Sequence, residues 1–300
     1  AGAVIALWDL DGDAATVERW PAGPVPLALY VGGPGEPAPF ASDVEVRSDR
    51  LAAGGMVARF DADAGGLLDT LRLGGGPVVA SQVDASKGNG VATPAGPLSA
   101  QDVPGTLVVL DEGPVTAAVV ASAQLENASG AVDVTNTWRV FAGRPELLVR
   151  TRYVARSGVA ILGSVDRTQA IRPFQAVGPA GGACVADAGL AWADVSTPAD
   201  GFTWCWATPP AWLSDVGCAA EETWSAANDL EEGEPGQGPS GHVPAGIPIA
   251  DGPLLVLLPH GAGGAVAVEA TRESWSSPIG VEVGPPAWSR GLVGSGEEGR

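Results

Sequence analysis

The fold is decided by residues 106–155, TLVVLDEGPVTAAVVASAQLENASGAVDVTNTWRVFAGRPELLVRTRYVA. Runs of β-branched and other apolar residues alternate there with the turn signals Asp-Glu-Gly-Pro, Asn-Ala-Ser-Gly and Ala-Gly-Arg-Pro. No part of the stretch keeps the 3.6-residue period of an amphipathic helix. It therefore predicts four long neighbouring strands: Thr106–Leu110, Val115–Leu125, Val132–Phe141 and Leu147–Ala155.

The segments on either side extend the same pattern. Upstream, a strand–turn–strand meander is predicted over 43–73, with a turn at Gly54-Gly55. Downstream, Pro253–Leu258 and Ala265–Ala270 flank a glycine-rich hairpin. With 43 Gly, 26 Pro and 45% hydrophobic residues, short strands joined by tight turns are the natural solution. We therefore predict an all-β protein, a large antiparallel β-sandwich with long irregular loops.

The domain organisation is predicted to be simple, because the chain shows neither an internal repeat nor a convincing linker. We expect one β-sandwich domain over 1–290 and a tail over 291–300. Within the domain, residues 80–105 are polar and rich in Gly and Pro, which predicts a long surface loop or a loose hairpin. The sandwich divides into N-terminal strands (1–45), a central sheet (46–175), and Trp- and Cys-rich loops with closing strands (176–290).

The charge balance excludes two classes of partner. The chain has 35 acidic and 16 basic residues, a net charge of −19, and Lys87 is its one lysine. Such a surface repels the phosphates of nucleic acids and the headgroups of anionic membranes. No apolar run reaches the roughly 18 residues of a membrane-spanning helix. We expect an extracellular or secreted protein, either a mature form or a piece of a longer one, and a cytoplasmic location stays open.

The cysteines do not predict a metal site. Cys184, Cys205 and Cys218 match no zinc spacing, because there is no C-x-x-C and no nearby pair of histidines. Their pairing stays open between one disulfide with a free thiol and three buried thiols.

An acidic turn near the start is the one hint of calcium. Asp9, Asp11 and Asp13 have the spacing of the first calcium ligands in an EF-hand, but Ala14 and Trp20 replace its glycine and glutamate. A plain acidic turn is therefore favoured. We predict no cofactor, with calcium as the open alternative.

Two segments together carry a resemblance to a known family. The first is Val46–Leu73, with Met-Val-Ala-Arg-Phe-Asp, a Gly-Gly turn and Leu-Leu-Asp-Thr-Leu-Arg-Leu. The second is Leu107–Tyr153, with Asn-Thr-Trp-Arg-Val-Phe-Ala-Gly-Arg-Pro-Glu-Leu-Leu-Val-Arg. In this order they resemble the β-supersandwich of the galactose-mutarotase-like superfamily. The exo-rhamnogalacturonan-lyase-like proteins are nearest, and the sandwich of alpha-mannosidase-type hydrolases comes second.

The resemblance covers roughly residues 43–172 and consists of strands and turns rather than a catalytic signature. It implies a carbohydrate-active or carbohydrate-binding sandwich that meets a glycan on its concave face. If the chain is an enzyme, the implied class is a polysaccharide lyase or a glycoside hydrolase. The alternative is a non-catalytic structural or adhesive module of a larger extracellular protein.

Four side chains are candidates for chemistry or its support. His242 lies beside an acidic stretch and could serve as an acid or base, whereas His260, in Pro-His-Gly, is more typical of a turn. A lyase acting on uronic acids also needs a cation and a base, which makes Arg152 and Tyr153 candidates. Because neighbours in a strand point to opposite faces, these two cannot easily share one site, whereas Arg150 and Arg152 share a face. The opposing interpretation is a solvated sheet face.

The tryptophans are the candidate ligand-binding residues. Ten Trp against two Tyr is unusual, and exposed indoles stack on sugar rings. Trp138 fits a core strand. Others lie among Pro and Gly, where exposure and a sugar-binding cleft are expected: Trp204, Trp206, Trp212 and Trp224.

Overall fold

The computed structural model describes residues 42–83, 89–162, 165–171, 183–187, 192–196, 199–206, 213–218, 222–227, 240–251 and 255–261. Within these ranges the chain is all-β, as predicted, and the only helical element is a short 3₁₀ turn, Ala100–Asp102. None of the described elements is a helix long and apolar enough to cross a membrane. Three predicted features lie outside the described residues: the acidic turn at Asp9–Asp13, Trp212 and the tail.

The strands are, in chain order, β1 (Glu45–Arg47), β2 (Arg50–Ala53), β3 (Met56–Asp61), β4 (Leu67–Leu73), β5 (Val78–Ala80), β6 (Asn89–Val91), β7 (Leu98–Ser99), β8 (Gly105–Glu112), β9 (Thr116–Asn127), β10 (Gly130–Phe141), β11 (Leu147–Ala155), β12 (Val159–Leu162), β13 (Val165–Ile171), β14 (Ala183–Asp187), β15 (Trp192–Ser196), β16 (Asp200–Trp206), β17 (Leu213–Cys218), β18 (Glu222–Ala227), β19 (Ser240–Val243), β20 (Pro248–Asp251) and β21 (Leu255–Gly261). The four strands predicted over 106–155 are β8 to β11, so the prediction is confirmed.

These strands form antiparallel sheets. The central sheet has nine strands in the order β14-β15-β16-β21-β11-β10-β9-β8, with β20 pairing β11 beside β21. The β1–β5 sheet is a meander, a further five-stranded sheet has the order β17-β18-β13-β6-β7, and β12 pairs β19. The central sheet brings together strands from both halves of the described chain.

The core lies on one face of the central sheet. Side chains of alternate residues in β9, β10, β11, β15, β16 and β21 pack against the β1–β5 sheet. Phe60 and Trp138 meet there with ring centroids 5.1 Å apart. A second cluster continues on the same face along β9–β11, around Leu125, Val134 and Tyr153. Burial of each large apolar side chain contributes about 1.5–3 kcal/mol to folding.

A single carboxylate joins two distant turns at the edge of this core. The backbone N–H of Gly54 donates to one oxygen of Asp43 at 2.6 Å, and that of Gly143 donates to the other at 2.8 Å. These donors, Gly143 first, hold the pKa of Asp43 below its ordinary value. The β2–β3 turn is thereby fixed against the β10–β11 turn.

Expectations about two irregular regions are met only in part. Over the described part of 176–245 the chain forms strands β14 to β19. In β16, all residues from Gly201 to Trp206 are buried, so both faces of this strand are covered. Within 80–105, β6 and β7 pair as the hairpin that was one of the two expected alternatives, but Asn89, Val91 and Leu98 are buried rather than at the surface.

Candidate functional site

A buried polar network lies on the other face of the central sheet. His260 Nε2 is 2.8 Å from Asp194 Oδ2, and Thr203 Oγ1 donates to the same oxygen at 2.6 Å. Ser196 Oγ donates to Asp194 Oδ1 at 2.6 Å, and His260 Nδ1 is 2.6 Å from the carbonyl oxygen of Gly261. Asp194, Thr203 and His260 are 3%, 1% and 9% exposed. Ser196 is partly buried.

Strand register places these groups together. Asp194 pairs with Thr203 across β15 and β16, while His260 in β21 pairs with Gly201 in β16. Ala193 and Val195 point into the core, so alternation sends Asp194 to the opposite face. The imidazole therefore lies over Gly201 and reaches the carboxylate diagonally.

Electrostatics stabilise the charged form of the carboxylate. Burial alone would raise the pKa of Asp194, but the hydrogen bonds from the imidazole and the two hydroxyls, with the imidazole charge, outweigh it. The pKa of Asp194 is therefore lower than its ordinary value. A buried carboxylate held this way is a structural anion.

The hydrogen bonds of this network hold the side chains in place and are not arranged for proton transfer. A general base needs a ring nitrogen with a free lone pair directed at its substrate. Both nitrogens of His260 contact acceptors, and the two hydroxyls contact Asp194 rather than the imidazole. In a catalytic triad, the hydroxyl nucleophile contacts the imidazole and the imidazole contacts the carboxylate, so this network is not a triad. Sequence analysis predicted His260 to be a turn residue. It did not identify Asp194, Thr203 and Ser196 as members of a polar network.

Two of the predicted tryptophans are buried. Trp204 and Trp206 are 0% and 2% exposed and belong to the core. The expectation that these two indoles are exposed is therefore wrong, because β16 is buried on both faces. Trp224 lies in β18, opposite Thr168 and Gly217 in the register.

His242 lies elsewhere. It is exposed in β19, where it pairs with Ala160 of β12. Its ring packs so closely over Gly158 that a Cβ there would be 2.7 Å from Nε2. No hydrogen bond or ion pair joins it to a carboxylate of the described residues, nor does it meet the buried tryptophans.

Arg152 and Tyr153 lie on opposite faces, as strand alternation predicts. Tyr153 is 0% exposed in the second core cluster, which hides it from a substrate, whereas Arg152 is exposed. Thr135 pairs with Arg152, Thr137 pairs with Arg150, and Ser122 pairs with Thr135 from the other side. We call these five residues the open face of the central sheet; the other four are half-buried.

Neither a metal site nor a glycosylation site is supported where the structure can be described. Over those ranges, no three His, Cys, Asp or Glu side chains are grouped to hold a metal ion. Cys205 is buried and is not part of a disulfide. In the sequon Asn127-Ala-Ser, the Asn127 amide donates to Thr93 Oγ1 at 2.9 Å and to the Gly96 carbonyl at 3.0 Å. The asparagine therefore serves as a structural anchor.

Comparison with known proteins names no family. No protein-family model matches the chain, and no curated protein is significantly similar to it.

Proposed function

We propose that this protein is a carbohydrate-binding β-sandwich module that holds a glycan across the open face of its central sheet. The observation that carries the proposal is the pairing of guanidinium and hydroxyl groups on that face. Arg150 and Arg152 are opposite Thr137 and Thr135 on rigid strands. Guanidinium groups donate paired hydrogen bonds to hydroxyl or carboxylate oxygens, and hydroxyls both donate and accept.

The dimensions of the face suit a sugar chain. Same-face residues are about 7 Å apart along a strand, and adjacent strands are about 4.8 Å apart. The open face is therefore a grid of polar groups at the scale of one or two sugar rings. Its framework is fixed by the cores packed beneath β9, β10 and β11, so little order is lost when a ligand binds.

The candidate catalytic residues favour a protein that binds a glycan without catalysing a reaction on it. Tyr153 is buried beneath the opposite face, and His242 lies in β19, which pairs with β12 in a separate sheet. Lyase or hydrolase chemistry, which the family resemblance implies, would need an acid and a base beside the same ligand. Neither residue is available to supply one on the open face.

The test is a glycan array followed by titration calorimetry with neutral and acidic polysaccharides. The double variant Arg150→Ala/Arg152→Ala should weaken the binding of the best glycan at least about tenfold, since a hydrogen bond to a charged group contributes about 1.5–3 kcal/mol. The matched control is Arg59→Ala, which removes an exposed arginine from β3 in another sheet. Binding should then stay unchanged. The proposal is wrong if no glycan binds, or if the double variant binds as the parent does.

A structural or adhesive module of a larger protein is the second candidate. The burial of Trp204, Trp206 and Tyr153 favours it, because two predicted sugar-binding residues and one predicted catalytic residue serve the core instead. A chain that is folded and stable but binds nothing in the glycan screen would support this candidate.

A further inference from the structure

The contact between His260 and Asp194 joins two strands that are not neighbours. β16 lies between β15 and β21, so the two backbones are two strand spacings apart, about 10 Å. The imidazole nevertheless reaches within 2.8 Å of the carboxylate. Thr203, on the intervening strand, donates to the same oxygen. Three strands are therefore held by one carboxylate.

Gly201 leaves the space through which the imidazole passes. A Cβ at this position would be 2.6 Å from His260 Cε1 and equally close to the carbonyl oxygen of Val195. Both distances are shorter than van der Waals contact, so a side chain at position 201 would clash with the His260 ring. Glycine within a strand often marks such a close approach.

The surroundings of the imidazole determine its charge. The Gly261 carbonyl oxygen can only accept a hydrogen bond, so Nδ1 must carry a proton. The ionised Asp194 carboxylate also only accepts, so Nε2 must carry one too. His260 is then an imidazolium, and its positive charge compensates the buried negative charge.

Few other charges face this pair in the described residues. Asp200 of β16 has the strand parity of Phe202 and Trp204, which places it on the core face. Before β11, Arg144 and Glu146 pair with each other at 2.5 Å. The other described residues of β15, β16 and β21 carry no ionisable group on this face apart from the buried thiol of Cys205. In the neighbouring β14, Asp187 has the strand parity of Val185, which pairs with Asp194. Within β15, β16 and β21, the charge balance on this face is therefore set by Asp194 and His260.

We propose that Asp194 and His260 form a charged latch that ties β15 to β21 and holds the β14–β15 edge of the central sheet only while both groups are ionised. The latch is independent of glycan binding on the open face. On the acid side, it weakens as the carboxylate takes up a proton. On the alkaline side, the latch weakens as the imidazolium loses a proton. Either the Asp194 carboxylate or the Gly261 carbonyl then faces a nitrogen lone pair instead of an N–H donor.

The first test reads the charge directly in the unaltered protein. The chain has only two histidines, so side-chain ¹⁵N–¹H correlation spectra at pH 7.5 contain two ring systems, and the exposed His242 supplies the comparison. At this pH, His260 should show two protonated ring nitrogens. A neutral His260 with one unprotonated nitrogen at pH 7.5 would overturn the proposal, and this result does not depend on any variant folding.

The second test reads the mechanical consequence by hydrogen–deuterium exchange. Asp194→Asn and His260→Gln should speed exchange of the β15 amides by about tenfold to a hundredfold, the loss of one charged hydrogen bond. Amides of β9 and β10, in the same sheet, should change far less. His242→Gln is the matched control and should leave β15 unchanged. Uniform acceleration across the sheet, or none at all, would show that the pair is not a local latch.

Discussion

The turn at Gly54-Gly55 allows a sharp test of the packing, because a side chain would meet backbone at one of its two glycines and open space at the other. Both have positive φ, 58° and 78°. A Cβ on Gly54 would lie 2.2 Å from the carbonyl carbon of Arg144 and 2.4 Å from the nitrogen of Pro145, whereas a Cβ on Gly55 meets nothing within 4 Å. Alanine at the two positions therefore shares the backbone cost and differs in the clash.

The expected magnitudes follow from these contacts. Alanine in the left-handed region costs about 1–2 kcal/mol, so Gly55→Ala should lose about that much stability. Gly54→Ala adds overpacking of about 1–3 kcal/mol, and the obstacle is backbone that cannot rotate away. The difference between the variants should be about 2 kcal/mol, or roughly 4–8 °C in Tm for a domain of this size.

Urea unfolding followed by tryptophan fluorescence is the assay, since Trp138 and Trp204 are fully buried and report loss of the core. Both variants should unfold with the same denaturant dependence, so that the midpoints can be compared. Equal destabilisation of the two variants would refute the packing of the β2–β3 turn against the β10–β11 turn.

Three further predictions follow from the same structure. Asp43→Asn should cost about 1 kcal/mol at pH 7, because a partly solvated carboxylate loses one of its two backbone donors. Since the pKa of Asp43 is lowered by folding, its contribution is present above the ordinary value near pH 4 and is lost below it, so the parent and variant Tm should converge in acid. Trp204→Ala should cost about 3–5 kcal/mol, which urea midpoints will show, while Trp204→Phe should fold and leave glycan affinity unchanged if the indole is only a core residue. Expression in a glycosylating host should leave Asn127 unmodified by mass spectrometry, since its amide is engaged, and Asn127→Gln should lower Tm; an attached glycan would contradict this.

Within the candidate site, sequence reasoning succeeded where strand alternation alone was enough. It placed Arg152 and Tyr153 on opposite faces and Arg150 beside Arg152, which is how the open face is built. It failed for Trp204 and Trp206, because the local sequence of β16 does not reveal whether the faces of the strand meet solvent or other sheets. Prediction of a glycan ligand rests on the family resemblance and on the open face, and stays a prediction.

His260 shows why the buried network could not be found in advance. Pro259-His-Gly261 has the composition of a turn, yet pairing with β16 carries the strand through to Gly261. Asp194 is 66 residues away in the chain, and no local pattern relates the two. Gly201, inside β16, was the one local sign that another group passes close to the backbone.

The sequence by itself determined the all-β class, the four strands of residues 106–155 and the alternation of their faces, because a period of two is a local property of the backbone. Only the tertiary structure decided which strands became neighbours. That choice depends on burial of apolar surface between sheets, and it is what brought Asp194, Thr203 and His260 together across three strands.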